Sequence, residues 1–122
     1  MKKLYHFTNK PNLKKISVKY FGGNSYSKNE SQASSVKRSF FYTEPRICES
    51  ALQGAEYCYI AITDEKKLYP IQTDPKKYLS KYSTITEALK AISRRYNGII
   101  YQYNNYKIVS LFKDISCKKY LA

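Results

Sequence analysis

The chain contains a single histidine, His6, which stands two residues before Thr8 in the stretch LYHFT. Side chains alternate between the two faces of a strand, so a strand here places His6 and Thr8 on one face and Tyr5 and Phe7 on the other. Polar groups on an otherwise apolar strand need hydrogen-bond partners. A neutral imidazole offers one donor and one acceptor, which suits either the protein's own polar groups or the hydroxyls of a bound ligand.

The composition limits the class of protein in which His6 and Thr8 are found. A chain of 122 residues with 43% hydrophobic residues predicts one folded domain. The three cysteines form no CxxC pair, and one histidine completes no zinc pattern, so we expect neither a metal site nor a structural disulfide. No apolar run approaches the roughly 18 residues of a membrane span, and the N-terminus lacks a signal-peptide core. We therefore expect a cytoplasmic protein without a membrane partner.

The net charge is the strongest compositional feature. The chain has 22 Lys and Arg residues against 9 Asp and Glu, a formal net charge of +13. Such an excess attracts phosphates and speeds encounter with polyanions, which predicts salt-sensitive binding to nucleic acid. A lysine-rich surface that only keeps the protein in solution is the alternative. No helix-turn-helix, zinc-finger or RNA-recognition motif accompanies the charge to decide between them.

The hydrophobic pattern predicts strands that carry these residues. Strands are expected in LYHFT, VKRSFFYT and EYCYIAIT, and two more in GIIYQYNNYKIVSLF, where Asn104-Asn105 predicts a hairpin turn. Between the first two strands, residues 22–35 are rich in Gly, Ser and Asn, which is typical of a functional lid.

Short helices are predicted between the strands. NKPNLKKI has an Asn cap and a proline in the first turn, Thr43 precedes a helix that ends at Gly54, and Asp74 caps a helix that starts at Pro75. The clearest helix follows Thr84, which forms a capping box with Glu87, and it ends at Asn97-Gly98. Its predicted buried stripe is Ile85, Ala88, Leu89, Ile92 and Tyr96. Because strands and helices do not alternate regularly, an α+β fold is favoured over α/β.

In this order the stretches resemble the motifs of the ADP-ribosyltransferase superfamily. LYHFTNKPNLKKI is similar to a first motif in which a strand carries His-x-Thr and a Leu-x-x-Ile helix follows. SFFYTEPR is similar to the second motif, an aromatic strand that ends in Tyr or Ser and Thr. YCYIAITDEKKLYPI and YNGIIYQYNNYKIVSLFKDI resemble the next strand and the closing pair of strands. FFYTEPR also resembles a motif of the DNA-targeting branch, with Arg46 at the matching arginine.

This resemblance covers nearly the whole chain and implies a fold as well as a ligand. It implies one domain over residues 1–122, with two small, mostly antiparallel sheets that form a cleft and are flanked by short helices. The cleft would bind NAD, with His6 on the ribose of the nicotinamide half and Thr8 supporting His6 or contacting the adenosine half. A mobile segment between the first two motifs would lie over the cofactor or meet the target.

The second motif implies further site residues. Tyr42 and Thr43 would line the nicotinamide pocket, and Arg46 would reach the pyrophosphate or the acceptor, helped by the attraction of a helix N-terminus for anions. Each has a purely structural alternative. Tyr42 suits a hydrophobic core, Thr43 suits a helix cap, and Arg46 suits a surface pair with Glu44 or Glu49.

One departure from the family pattern bears on catalysis. Many members carry a glutamate at the start of the last strand, where it stabilises the cationic ribose of the transition state, but this chain has Asn105, Tyr106 and Lys107 there. Tyr106 is the non-acidic residue that we expect at the catalytic position. Another acid could replace the missing one, and the candidates are Glu49, which is the first choice because it shares a helix with Arg46, then Glu56 and Asp114.

The sequence thus predicts an NAD-dependent ADP-ribosyltransferase that modifies a macromolecule, either a nucleic acid or a host protein that handles one. Small members of this superfamily are typically bacterial toxins or phage proteins, so such a role is what the resemblance implies. Two alternatives stay open. One is an inactive domain of the same fold that binds nucleic acid or a bacterial protein complex, and the other is an unrelated α+β domain. The oligomeric state has no signal in the sequence.

Overall fold

The computed structural model of the chain describes residues 1–20, 36–45 and 55–120. Within these ranges the chain forms nine strands and two α-helices. The strands are β1 (Lys2–Thr8), β2 (Lys15–Ile16), β3 (Ser39–Tyr42), β4 (Tyr57–Thr63), β5 (Leu68–Pro70), β6 (Gly98–Tyr103), β7 (Tyr106–Leu111), β8 (Ile115–Ser116) and β9 (Lys118–Lys119). The helices are α1 (Tyr78–Lys81) and α2 (Ile85–Ser93), and short 3-10 turns cover Val18–Tyr20 and Glu65–Lys67. None of the helices in the described ranges has the length and hydrophobicity to cross a bilayer.

Seven of these strands form one mixed sheet in the order β5-β6-β7-β3-β1-β4-β9, and β2 pairs with β8 in a separate two-stranded ladder. Only β5 and β6 run parallel. The other neighbours are antiparallel, and of these only β6 and β7 are joined by a tight turn. The prediction of a small α+β domain with mostly antiparallel strands and short helices is therefore confirmed.

The expected fold has two small sheets that form a cleft, whereas here seven strands share one sheet. Within this sheet the strands fall into two groups, β5-β6-β7-β3 and β1-β4-β9. The two groups are nevertheless joined weakly, between β1 and β3. These strands share the single register pair Tyr5↔Tyr42, whereas β1 and β4 share the whole register from Lys2↔Thr63 to Thr8↔Tyr57. We call this boundary between β1 and β3 the seam.

Each face of the sheet packs against a different layer. On one face Leu4, Phe41, Tyr59 and Val109 are almost fully buried, and the β2–β8 ladder covers them through Ile16 and its neighbours. At the β5–β6 end of the other face, the buried stripe of α2 packs on the sheet, and this stripe consists of Ala88, Leu89, Ala91 and Ile92. Burial of apolar side chains on both faces supplies the main stabilisation of the sheet.

Several local predictions are corrected by the structure. No helix follows Asn9. Asn12 has φ 59°, which stops a right-handed helix, and the next residues form β2. Thr84 does cap α2, because its Oγ1 accepts a hydrogen bond from the Glu87 N–H at 3.1 Å, but the Glu87 carboxylate contacts Ser83 instead of closing a capping box. Ile85 is 46% exposed and so lies outside the buried stripe.

Gly98 begins β6 rather than ending a helix. A Cβ at this position would lie 2.2 Å from the carbonyl oxygen of Ser110 on β7, a separation that no side chain tolerates. The glycine is therefore required by the close approach of two strands. The helix itself has already ended at Ser93.

Asp74 organises the segment between β5 and α1. It lies only 9% exposed, and its carboxylate accepts the Tyr78 and Leu79 backbone N–H groups at 2.9 Å each, together with the Tyr69 hydroxyl. Asp74 thus accepts the first N–H groups of the helix, but the N-cap position is Lys77, and the helix begins at Tyr78 and not at Pro75. Burial alone would raise the pKa of Asp74, but the hydrogen bonds that it accepts lower it. Burial and the bond to Asp74 raise the pKa of Tyr69 to about 12.

Candidate functional site

His6 is part of β1 and contacts β3 across the seam. Its Nδ1 donates to the carbonyl oxygen of Phe40 on β3 at 2.8 Å, and its ring centroid is 5.4 Å from that of Phe41. The carbonyl can only accept, so Nδ1 carries the proton and Nε2 of the neutral ring is an acceptor. Burial lowers the pKa of His6, the bond to Phe40 opposes this, and the charge of Lys10 adds to it. The half-buried imidazole is therefore neutral at pH 7.

The bond from His6 is a side-chain link across the seam. It joins β1 to the Phe40 carbonyl of β3 in addition to the single register pair that the two strands share. The residue that carries the candidate chemistry therefore also helps to hold the seam together.

Thr8 lies on the same face of β1 as His6, at the end of the strand. Its Oγ1 accepts the backbone N–H of Lys10 at 3.3 Å, so it stabilises the turn that follows. Its register partner Tyr57 has the Lys119 ammonium 5.1 Å from the ring centroid. The aromatic ring and the ammonium group next to Thr8 therefore lie on the β4 side of β1 and not at the seam itself.

A pocket of about 310 Å³ lies at the opposite end of the seam. Strand β3 ends at Tyr42, whereas its neighbours β1 and β7 extend past that level, and Pro45 soon removes the backbone N–H needed to continue the ladder. The gap between the two longer strands forms the pocket, which we call the notch. Its lining is Lys2 on β1, Thr43 and Glu44 after β3, and Gln102, Asn105, Tyr106 and Lys107 on the β6–β7 hairpin.

The notch has the chemistry of a site for a sugar or a phosphate. It contains two ammonium groups, from Lys2 and Lys107, one carboxylate, from Glu44, and several hydroxyl and amide groups. Lys2 also lies 3.3 Å from the carboxylate of Glu65. Since Glu65 is exposed, this pair contributes little and does not prevent Lys2 from meeting another anion.

The structure separates Tyr42 from His6. Tyr42 is the register partner of Tyr5, so its side chain lies on the face opposite to His6. There it is 5% exposed and packs in a core with Tyr5, Cys58 and Ile108. Phe41, not Tyr42, lies beside the imidazole. Tyr42 approaches the notch only through the ring of Tyr106, 5.4 Å away between centroids.

The other predicted site residues fall into two groups. Thr43 and Tyr106 are brought together in the notch. Arg46 and Glu49, with the helix predicted to end at Gly54 and the segment 22–35, lie outside the described residues.

The acids proposed to replace the missing glutamate occupy different places. Glu56 is exposed near the His6 end of the seam, where its backbone N–H donates to the Asn9 side chain at 2.9 Å. Asp114 accepts the Val18 N–H at 2.9 Å and lies 3.7 Å from Lys15, and the bond from Val18 is the main cause of its lowered pKa. Asp114 therefore has a structural role beside β2.

Glu44 is a functional candidate that the sequence did not predict, since its expected role was only a surface pair with Arg46. In the structure it is the carboxylate that shares the notch with Tyr106. The signal in the sequence was its position directly after Tyr42 and Thr43, where β3 ends.

In the described part of the chain, no three His, Cys, Asp or Glu side chains are grouped so that they could hold a metal ion. Comparisons with protein-family models, with curated proteins and with solved structures gave no match to this chain. The function must therefore be inferred from the seam and the notch themselves.

Proposed function

We propose that this protein is of the ADP-ribosyltransferase type, binds NAD along the seam and transfers its ADP-ribose to a macromolecule. The observation that carries the proposal is the seam, where a sheet joined by one register pair has His6 near one end and a polar notch at the other. The family resemblance implies an NAD cleft between two groups of strands. The seam is the boundary between two such groups.

His6 would bind the adenosine ribose of NAD through Nε2, because Glu44 would hold the reacting nicotinamide ribose at the other end of the seam. With Nδ1 committed to Phe40, Nε2 is left to accept a hydrogen bond from a ribose hydroxyl. His6 lies four positions after Lys2 on β1, a span of about 13 Å in an extended strand. A dinucleotide has two nucleosides joined by a pyrophosphate, so it is a ligand long enough to engage His6 and Lys2 together.

Glu44 would supply the negative charge that the transfer step needs. In that step the bond between the ribose C1′ and the nicotinamide nitrogen breaks, and nicotinamide leaves with the bonding electron pair. The positive charge left on the ribose is stabilised by a nearby carboxylate. A nucleophile of the acceptor then forms a bond to C1′ and releases its proton to solvent. Glu44 provides the carboxylate on the side of the notch where Tyr106 replaces the family's acid.

Calorimetric titration with NAD tests the proposal. Wild-type protein should bind NAD, and His6→Ala should weaken binding about 5- to 10-fold, because one hydrogen bond to the ribose is lost. Lys90→Gln, an exposed change on α2, is the control and should leave binding unchanged. Thermal unfolding of each variant verifies that the fold is retained. No binding to wild-type protein, or equal binding to His6→Ala, would contradict the proposal.

A basic module without catalysis is the second candidate, and the charge distribution favours it. Between described residues the structure has two ion pairs, Lys2–Glu65 and Lys15–Asp114, and both lie at the surface. The net charge of +13 is therefore available to an external polyanion. Binding of nucleic acid by a protein that gives no NAD signal in the same calorimeter would favour this candidate.

A further inference from the structure

The β6–β7 hairpin presents an exposed tyrosine on a rigid aromatic base. Tyr103 is 44% exposed, and its ring centroid is 5.8 Å from that of Tyr106, its register partner. The ring of Tyr106 in turn packs on Tyr42, which is buried in the core. Three rings thus run from the core to the tip of the hairpin, so that the outermost ring is supported from behind.

The backbone of the hairpin is held as well. The Gln72 side chain donates to the carbonyl oxygen of Gln102 at 3.0 Å and accepts its N–H at 2.9 Å. The Gln102 side chain donates to the Asn104 carbonyl at 3.1 Å, and Asn104 adopts the left-handed conformation, with φ 54°, that a tight turn requires. A hairpin whose backbone is held by these hydrogen bonds loses little conformational freedom when it binds a partner.

Cations lie on the face of the hairpin opposite to the rings of Tyr103 and Tyr106. Lys107 follows Tyr106 on β7, and both residues line the notch, across which Lys2 contributes a second ammonium group. Alternation along the strand places the Lys107 side chain on the face opposite to Tyr106. A ligand that crosses the tip of the hairpin therefore meets an aromatic face and then a cationic one.

We propose that the tip of the hairpin binds single-stranded nucleic acid, with one base stacked on Tyr103 and an adjoining phosphate on Lys107. The inference deepens the proposed function by naming the acceptor, and it rests on that function only in treating the notch as the site. Stacking of bases on aromatic side chains next to a cationic groove is the general means of binding single strands without sequence readout.

The chemistry of the surface favours this ligand over two others. In a duplex the base faces are stacked on one another and are not free to pack on a tyrosine. A protein partner would be selected by a wide apolar surface, but the notch next to the hairpin is lined mainly by amide, hydroxyl and charged groups, which suit a sugar-phosphate backbone.

Fluorescence anisotropy with labelled single strands of twelve thymidines or twelve uridines, and with a duplex of the same length, tests the inference. Tyr103→Ala should weaken single-strand binding about 5- to 150-fold, whereas Tyr103→Phe should bind like wild type, because stacking needs the ring alone. Lys107→Gln should reduce the slope of log affinity against log salt by about 0.7, the share of one phosphate contact in a single strand.

Matched controls make the outcome specific. Tyr82→Ala removes a tyrosine of similar exposure, 37%, next to α1, and Lys81→Gln removes a lysine in the same region. Both should bind single strands like wild type. The inference is overturned if Tyr82→Ala weakens binding as much as Tyr103→Ala, or if the duplex binds as tightly as the single strands. It is equally overturned if neither strand binds.

The same protein separates this inference from the proposed function. Tyr103 is not part of the notch lining, so NAD binding by Tyr103→Ala should equal that of wild type. If wild-type protein binds single strands but does not bind NAD, only the proposed function is contradicted. If wild-type protein binds NAD, but Tyr103→Ala binds single strands as tightly as wild type does, only the inference is contradicted.

Discussion

Replacement of Glu44 by Gln should lower the rate of ADP-ribose transfer about 10²- to 10³-fold, while NAD binding changes little. Gln keeps the size and the hydrogen-bonding capacity of the side chain but removes the charge that stabilises a cationic ribose. Loss of one well-placed electrostatic contact in an active site has an effect of this size. The measurement is transfer from labelled NAD with single-stranded DNA, RNA and bacterial lysate as acceptors.

Glu56→Gln is the matched control for this prediction. Glu56 lies near the other end of the seam and is exposed, so its replacement should leave the transfer rate within about twofold of wild type, the scatter of a surface substitution. If Glu56→Gln abolishes transfer and Glu44→Gln does not, the catalytic end of the seam is the one that holds His6. If wild-type protein labels no acceptor, the transferase interpretation is wrong.

Asp74→Asn should lower the free energy of unfolding by about 3 kcal/mol at pH 7, because buried hydrogen bonds to a charged acceptor each contribute about 1.5–3 kcal/mol. The substitution keeps a residue that tolerates the left-handed backbone at this position, where φ is 44°, so the loss reports the charge and its bonds. Asp64→Asn is the control. Asp64 accepts one backbone N–H, from Lys66 at 3.0 Å, at a more exposed turn, and its replacement should have an effect below about 1 kcal/mol.

The effect of Asp74 should also depend on pH. Its folded pKa is lowered, so the stabilisation is fully present above the pKa of an unfolded aspartate, about 3.9, and is lost as pH falls through the folded value. Urea denaturation at pH 7 and pH 3 should therefore show a smaller difference between wild type and Asp74→Asn at pH 3. An equal difference at both pH values would mean that the charge does not carry the effect.

Local patterns were sufficient to predict the elements whose signals lie within a few residues. The alternation of LYHFT predicted a strand with His6 and Thr8 on one face, and Thr84 predicted the start of α2. The turn at Asn104-Asn105 predicted the hairpin that connects β6 and β7. In each case the hydrophobic period and the turn or cap residues favour the same structure.

The prediction failed where a partner far away in the chain decides the conformation. Residues 9–16 have helical spacing, but Ile16 pairs with Ile115, which no local pattern reveals. The separation of Tyr42 from His6 depends on the register between β1 and β3, since a shift by one residue would exchange the faces. Glu44 enters the notch only because β3 is shorter than both neighbouring strands.

The seam divides the amide groups of β1 into two sets that should exchange their hydrogens at different rates. Along β1, alternate N–H groups point toward β4, where the ladder is continuous, and toward β3, where one register pair remains. Amides of a single strand should therefore separate into a slow set and a fast set, because protection follows the free energy of local opening. A ligand that bridges the seam would slow the fast set alone, so the pattern of exchange along seven residues would report where it binds.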